Sequence, residues 1–151
     1  MDAIDRAILR ELQQDGRLSN TELAERVRLT PSPCLRRVRQ LERDGVIRGY
    51  RALLDGEAVG RGFHAFVTVA LAQEDRATVA EFESTIRERA EVVEAHRVFG
   101  DTDFLLRVAV RDLPAYEKFN TEVLLALPGV ARVTSHLTMK TVKEDRGLPV
   151  R

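Results

Sequence analysis

Six arginines lie between residues 36 and 51 against two acidic residues, so this stretch carries a net charge of +4. The arginine guanidinium donates hydrogen bonds in a fixed fork that matches phosphate oxygens and the edge of guanine. Apolar residues at helical spacing, Leu35, Val38 and Leu41, would face inward and leave the arginines on the other side. This one-sided pattern predicts a helix that is presented to double-stranded DNA.

Two short helices and a tight turn would position these arginines. Ser19 and Glu22 form the S-x-x-E pattern of a capping box, which predicts the start of a helix. Thr30 followed by Pro31 predicts the start of the next helix, because proline is favoured at the first helical position. Gly45 predicts its end, after about residue 44. The arrangement is typical of a helix-turn-helix, whose second helix enters the major groove.

The position of each side chain along the second helix predicts its role. The first turns of such a helix meet base edges, and basic residues beyond them hold phosphates. We expect base-edge contacts from Ser32, Pro33, Arg36, Arg37 and Gln40. We expect phosphate contacts from Arg39, Arg43, Arg48 and Arg51. The alternative is an ordinary solvated helix face, which a charge run alone would favour; the capping box, the Thr-Pro start and the strand predicted after the helix favour DNA binding.

The N-terminal part of the chain is predicted to form a winged helix-turn-helix domain over residues 1–54. A first helix over 2–14 has an apolar stripe that can cover the other two helices. Residues 46–54 are predicted to form a short wing strand. Residues 55–62 contain three glycines and are predicted to be a linker.

The second part of the chain, residues 63–151, alternates strand and helix patterns. The order is βαββαβ, so the fold class is α+β with a ferredoxin-like C-terminal domain. In that topology both helices cover one face of the sheet, and Phe66, Val98 and Leu106 predict an apolar, open second face that would favour self-association. Strands are predicted over 63–72, 92–99, 104–111 and 130–142, and helices over 76–89 and from Asp112 to Pro128.

Composition narrows the functional classes. The chain has 151 residues, a formal net charge of zero and one cysteine, Cys34, so no intrachain disulfide framework exists. No apolar run reaches transmembrane length and no signal peptide is evident, so we expect a cytoplasmic, nucleoid-associated protein without a membrane partner. Neither a metal-ligand spacing nor a glycine-rich phosphate loop occurs. We therefore expect no metal, no cofactor and no enzymatic activity.

Three segments carry a resemblance to a known family. ELQQDGRLSNTELAERVRLTPSPCLRRVRQLERDGVIRGYRALLD resembles the N-terminal half of the leucine- and asparagine-responsive (Lrp/AsnC, feast/famine) bacterial regulators. Residues 99–106 (FGDTDFLL) resemble the family's turn before a hydrophobic strand, and residues 127–130 (LPGV) its last helix–strand junction. The pattern is nearest the leucine-responsive branch of the family.

The resemblance implies a C-terminal effector domain, called RAM, that dimerises, often assembles four dimers into an octamer, and binds an amino acid between dimers. The alternative interpretation of Gly100 and Asp101 is that they only form a turn and contact no effector. Polar residues at 97, 102 and 136 depart from the leucine-responsive pattern, so leucine specificity is not transferred. By matching position, the effector contacts would be Arg97, Gly100, Asp101, Thr102, Asp103, Leu113, His136, Leu137 and Thr138.

Together these expectations describe a regulator that reads roughly palindromic DNA as a homo-oligomer and responds to a free amino acid. One alternative is an effector-independent DNA-architectural protein. Another is an enzyme similar to the haem-precursor decarboxylases of this fold, in which His96, Arg97 and His136 would lie in one pocket.

Overall fold

The computed structural model describes residues 1–73, 75–145 and 147–150. The chain divides into two compact units, one formed by Met1–Leu53 with Val142–Arg151 and the other by Leu54–Thr141. The predicted α+β class is confirmed, and so is the order of elements apart from the wing strand. The sequence-based boundaries assign residues 142–151 to the C-terminal domain, whereas the structure groups this segment with the N-terminal unit.

The N-terminal unit contains three helices, α1 (Ala3–Gln14), α2 (Asn20–Arg26) and α3 (Pro31–Arg43). Capping boxes begin α1 at Asp2 and α2 at Ser19, each satisfying backbone N–H groups that a first turn leaves unpaired. Burial of one apolar stripe from each helix stabilises the unit. Its buried side chains are Ile8, Leu9, Leu23, Ala24, Cys34 and Leu41.

Two local expectations in this unit are wrong. Leu35 was expected to face inward but is 36% exposed, because the neighbouring Cys34 occupies the core position. Residues 46–54, all of which the structure describes, form no strand. The N–H groups of Val46 and Ile47 instead bond to the carbonyl of Leu41, at 2.9 and 3.1 Å, and so complete the end of α3. A strand also needs a neighbouring strand to pair with, and the described part of this single chain places none beside the segment.

The second unit is a four-stranded antiparallel sheet with helices on one face. Its strand order is β2-β3-β1-β4, the arrangement expected for βαββαβ. A π-helical turn over Asn120–Leu124 continues α5, and β2 and β4 end earlier than predicted. The elements are β1 (Phe63–Leu71), α4 (Arg76–Arg87), β2 (Val92–Arg97), β3 (Phe104–Val110), α5 (Leu113–Phe119) and β4 (Val130–Leu137).

The core of this unit lies between the sheet and its two helices. Val67, Val69 and Leu71 alternate along β1 toward the helices, and Phe82 of α4 packs beneath them. Leu106 was expected on the open face, but it pairs with Val67 in register and is fully buried on the helix side. Phe66, by contrast, lies on the open face and is 43% exposed.

Residues 55–62, predicted as a linker, form a compact turn within the second unit. Asp55 Oδ1 accepts from the N–H of Glu57 at 2.9 Å, and the N–H of Arg61 donates to the Gly56 carbonyl at 2.7 Å. Arg61 Nη1 also donates to the Ala109 carbonyl at 3.1 Å, which fixes the turn to β3. The glycines therefore serve a folded turn rather than a flexible connection.

Candidate nucleic-acid interface and effector site

Contacts at both ends hold α3 in place. Asn20 Nδ2, at the first residue of α2, donates to the Pro31 carbonyl at 2.8 Å. Cys34 and Leu41 anchor the inner side of the helix in the core. Burial raises the pKa of the Cys34 thiol, which keeps it protonated and makes it a packing residue rather than a nucleophile.

The outer side of α3 presents a basic stripe. Ser32, Arg36, Arg39 and Arg43 recur at intervals of three or four residues and are exposed, while Pro33 is half-buried at the start of the helix. Within the described residues, Arg36 and Arg39 make no salt bridge or side-chain hydrogen bond. Their guanidinium groups are thus available to an external anion.

Arg37 is bound to the start of α1. Its Nη1 donates to Asp2 Oδ2 at 2.7 Å and to Asp5 Oδ1 at 2.8 Å. These two residues also form the α1 capping box. The pKa of Asp2 is lowered, first by the backbone hydrogen bond from Asp5 and then by the hydrogen bond from Arg37. Because its guanidinium group binds two carboxylates, Arg37 is better suited to hold α3 in position than to contact a base.

The remaining predicted DNA contacts differ in their local bonding. Gln40 Nε2 donates to Asp44 Oδ1 at 2.6 Å, and Arg43 Nη2 donates to Gln40 Oε1 at 2.6 Å, so these side chains form a chain along the helix. Arg51 Nη2 lies 3.8 Å from Asp145 Oδ2, and both groups are largely exposed. Arg48 is exposed, as expected of a phosphate contact.

Tyr50 is a residue that sequence reasoning missed. Its hydroxyl donates to Glu42 Oε1 at 3.1 Å and ties the segment after α3 back to that helix. Burial, followed by the Glu42 hydrogen bond and charge, raises the pKa of Tyr50 to about 12. The only sequence signal is a single aromatic residue between Arg48 and Arg51.

The predicted effector turn joins β2 to β3. Thr102 Oγ1 donates to the Val69 carbonyl at 2.8 Å, and Asp103 Oδ2 accepts from the N–H of Leu71 at 2.7 Å. The Asp103 contact occurs where the pairing of β1 with β4 shifts register at Leu71. Thr102 and Asp103 therefore fasten the turn to β1, while Gly100 (φ +147°) and Asp101 are exposed.

Four of the other predicted effector positions lie toward the opposite end of the sheet, while Arg97 lies beside the turn. The N–H of Thr138 donates to the His64 carbonyl at 3.1 Å, whereas the turn is fixed near residue 69. Five residues of extended strand span about 17 Å. Leu113 belongs to this second group, because β3 ends opposite Phe63 just before it. His136 and Leu137 precede Thr138 in β4. Within one chain, the nine positions therefore form two groups rather than one pocket.

Arg97 and His136 lie on opposite faces of the sheet. Arg97 pairs with the buried Phe104 and, together with Val79 and Glu83 of α4, lines a shallow hollow on the helix side. His136 pairs with Phe66 on the open face.

The decarboxylase-like alternative requires His96, Arg97 and His136 to share one pocket, but the structure places them apart. His96 Nε2 lies 2.8 Å from Glu94 Oε1 on the open face, whereas Arg97 lies on the helix side. His96 in β2 and His136 in β4 are separated by two intervening strands, about 14 Å. The three side chains do not converge.

The part of the chain that the structure describes contains no cluster of three or more His, Cys, Asp or Glu side chains arranged to hold a metal ion. Within those same residues, no helix is long and apolar enough to cross a membrane.

Comparison with known families matches both units. The winged helix-turn-helix DNA-binding family matches residues 1–48, and the Lrp/AsnC ligand binding domain matches residues 64–148. The chain belongs to the Lrp/AsnC family. It is a transcriptional regulator that combines a DNA-binding domain with a ligand-binding domain, and not an enzyme.

Relatives of this Lrp/AsnC protein cover its whole length. It is 44% identical to the leucine-responsive regulatory protein of Klebsiella pneumoniae and 43% identical to that of Escherichia coli K12, in each case over all of this chain and 92% of the relative. A transcriptional regulator from Neisseria meningitidis, solved as an L-Met complex, is 40% identical with a TM-score of 0.95 and covers 99% of this chain and 96% of that one. An AsnC family regulator from Agrobacterium tumefaciens is 39% identical with a TM-score of 0.93, covering 99% and 97%.

Proposed function

We propose that this protein binds double-stranded DNA through the basic stripe of α3 and that a free amino acid bound to its second unit alters that binding. The stripe carries the first part of the proposal. Arg36 and Arg39 are exposed side by side on the outer side of a helix whose inner side is fixed in the core. Arg36, with Ser32, Pro33 and Gln40, would contact base edges, and Arg39, Arg43, Arg48 and Arg51 would hold phosphates.

Arg37 takes a different part in this proposal. Its two short ion pairs with Asp2 and Asp5 hold α3 against α1, so it sets the direction in which the stripe faces. It thereby assists base reading without supplying the reading group.

The amino acid response is supported by the ligand-binding family match and by the L-Met complex of the Neisseria relative. The separation of the two groups of predicted effector residues supports a site formed between copies of the chain, with the turn from one copy and the Thr138 end from another. Thr138 Oγ1 is buried without a hydrogen-bond partner among the described residues, so its hydrogen-bonding capacity is unused within one chain.

Self-association is the third part of the proposal. Phe66 is 43% exposed at the centre of a sheet face that no helix of the described residues covers. A homodimer through this face, and an octamer of four dimers, would hold several α3 helices at fixed spacing and favour roughly palindromic sites. Such a DNA-bound assembly would reside with the nucleoid.

The test of the DNA-binding surface is the salt dependence of binding. DNA selected by the wild-type protein from a random pool would be titrated by fluorescence anisotropy over a range of salt concentrations. Arg36→Ala should weaken binding about tenfold or more, because a bidentate base contact provides about 1–3 kcal/mol of discrimination. Arg39→Ala, which would remove a phosphate contact, should instead lower the salt slope by about one.

Arg89→Ala, in the second unit, makes the same change of charge away from α3 and serves as the control. Wild-type affinity in both α3 variants, or an equal loss in the control, would overturn the assignment of this surface.

The same titration, repeated with each of the twenty amino acids, distinguishes a regulator that responds to an amino acid from a DNA-architectural protein that does not. Binding that no amino acid changes would favour the DNA-architectural alternative.

A further inference from the structure

The outer side of α1 holds a segment from the far end of the chain. The N–H of Leu148 donates to Gln13 Oε1 at 2.7 Å, and Gln13 Nε2 donates to the Leu148 carbonyl at 3.0 Å. One side chain thus satisfies both backbone groups of one residue, as a neighbouring strand would. Arg10 Nη1, one turn earlier on α1, donates to the Val150 carbonyl at 3.3 Å.

The segment is shaped for this contact. Gly147 has φ of +88°, a conformation that favours glycine, and a Cβ at this position would meet the side chain of Gln13. Its N–H donates to Asp145 Oδ1 at 2.8 Å, which helps to fix the backbone directly before Leu148. Pro149 follows and restricts Leu148 to an extended conformation.

Apolar burial adds to the hydrogen bonds. Val150 is half-buried and packs against the core of the N-terminal unit. Leu148, in contrast, is held through its backbone and its side chain is 79% exposed. The contact therefore recognises an extended backbone with an apolar residue two positions further on.

We propose that the face of α1 carrying Arg10 and Gln13 is a peptide-docking surface, and that its occupant is the chain's own segment 147–150, here called the C-terminal strap. The strap stabilises the DNA-binding unit from the side of α1, and α1 in turn holds α3 through Arg37. The proposal does not depend on an amino acid effector, since every contact lies within the N-terminal unit.

Amide hydrogen exchange, followed by mass spectrometry of the full-length protein, tests the docking. Gln13→Met removes both hydrogen bonds while it keeps the length of the side chain. The C-terminal peptide should then exchange about tenfold faster, since two hydrogen bonds to the strap are lost. Gly147→Ala alters the strap instead of α1 and should produce the same acceleration, because alanine is strained at this backbone conformation.

Gln14→Met is the matched control, because Gln14 is the next residue of α1 and makes no side-chain hydrogen bond among the described residues. It should exchange like the wild-type protein. Unchanged exchange of the C-terminal peptide in both Gln13→Met and Gly147→Ala would overturn the proposal. Equal acceleration in Gln14→Met would overturn it as well, since the effect would then be one of α1 stability alone.

Hydrogen exchange of other peptides shows whether the strap stabilises the DNA-binding unit or only contacts it. Peptides from α1 and α3 should also exchange faster in Gln13→Met and Gly147→Ala, while peptides from β1 and β3 should not change. Faster exchange confined to the strap would contradict its role in stabilising the unit.

Discussion

Adjacent arginines of α3 occupy opposite chemical environments. Arg36 is exposed and makes no salt bridge within the described residues, whereas Arg37 binds Asp2 and Asp5 at 2.7 and 2.8 Å. Helical geometry places neighbouring residues about 100° apart around the axis, so one faces outward and the other flanks α1. A charged residue therefore does not contact DNA merely because it lies on a DNA-binding helix.

Arg37→Met should lower the melting temperature of the protein, because two carboxylates near each other lose their shared cation. It should weaken DNA binding less than Arg36→Ala and leave the salt slope unchanged, because no phosphate contact is removed. Thermal unfolding and the salt titration measure the two effects. A salt slope reduced by about one without any loss of stability would instead make Arg37 a phosphate contact.

The stability that the Arg37–Asp2 ion pair provides should depend on pH through the carboxyl group of Asp2. The pKa of Asp2 is depressed below its ordinary value of 3.8, first by the Asp5 backbone N–H and then by Arg37. A depressed pKa in the folded state contributes stability above the unfolded pKa, and that stability is lost as the pH falls through the folded value. The difference in melting temperature between wild type and Arg37→Met should thus be constant above about pH 5 and narrow below pH 4. A difference that widens on acidification would contradict this origin.

The helices of the N-terminal unit start in two different ways. Ser19 accepts from the N–H of Glu22 at 3.2 Å and its own N–H donates to Glu22 Oε2 at 2.8 Å, which completes a capping box. Thr30 occupies the equivalent position before α3 but makes no side-chain capping bond, and Pro31 instead removes one unpaired N–H.

These two caps provide a matched pair. Ser19→Ala should decrease the free energy of unfolding by about 1 kcal/mol, the usual loss for an N-cap hydroxyl. Thr30→Ala should change it by only a few tenths, since no capping bond is lost. Chemical denaturation of both variants measures the difference. Equal losses would mean that the Thr30 hydroxyl stabilises the turn between α2 and α3 in another way.

At the scale of the whole molecule, the effector residues implied by family resemblance lie too far apart to act together in one chain. Thr102 and Asp103 fasten the turn at one end of β1, and Thr138 lies at the other end. Assembly can bring the two ends together only if different copies supply them. Ligand binding and oligomerisation should consequently be linked, with each altering the other.

Thermal-shift measurements with the twenty amino acids, combined with light scattering, test this linkage. An amino acid that stabilises the wild-type protein should also change its mass. Asp101→Ala should lose the stabilisation without a change in the unliganded melting temperature, because Asp101 is exposed. Asp103→Ala should destabilise the unliganded protein itself by about 1 kcal/mol, because the N–H of Leu71 loses its acceptor. Stabilisation with no change of mass, in a protein whose unliganded mass is that of a monomer, would place the site within one copy.

The sequence by itself determined most of the elements and their order, with the strand over 46–54 as an exception. Alternation along residues 63–72 predicts β1 with Val67 and Val69 inward, and the Ser19 and Pro31 signals predict the starts of α2 and α3 within a residue. These features depend on local periodicity and backbone chemistry, which neighbouring residues decide.

Only the tertiary structure decided which side chains meet. The pairing of Arg37 with Asp2, the docking of Leu148 on Gln13 and the burial of Leu106 join residues far apart in sequence. The missing strand over 46–54 has the same cause, since a strand forms only where a partner lies beside it. Local patterns fix the faces of helices and strands, but contacts between distant residues depend on how those faces pack.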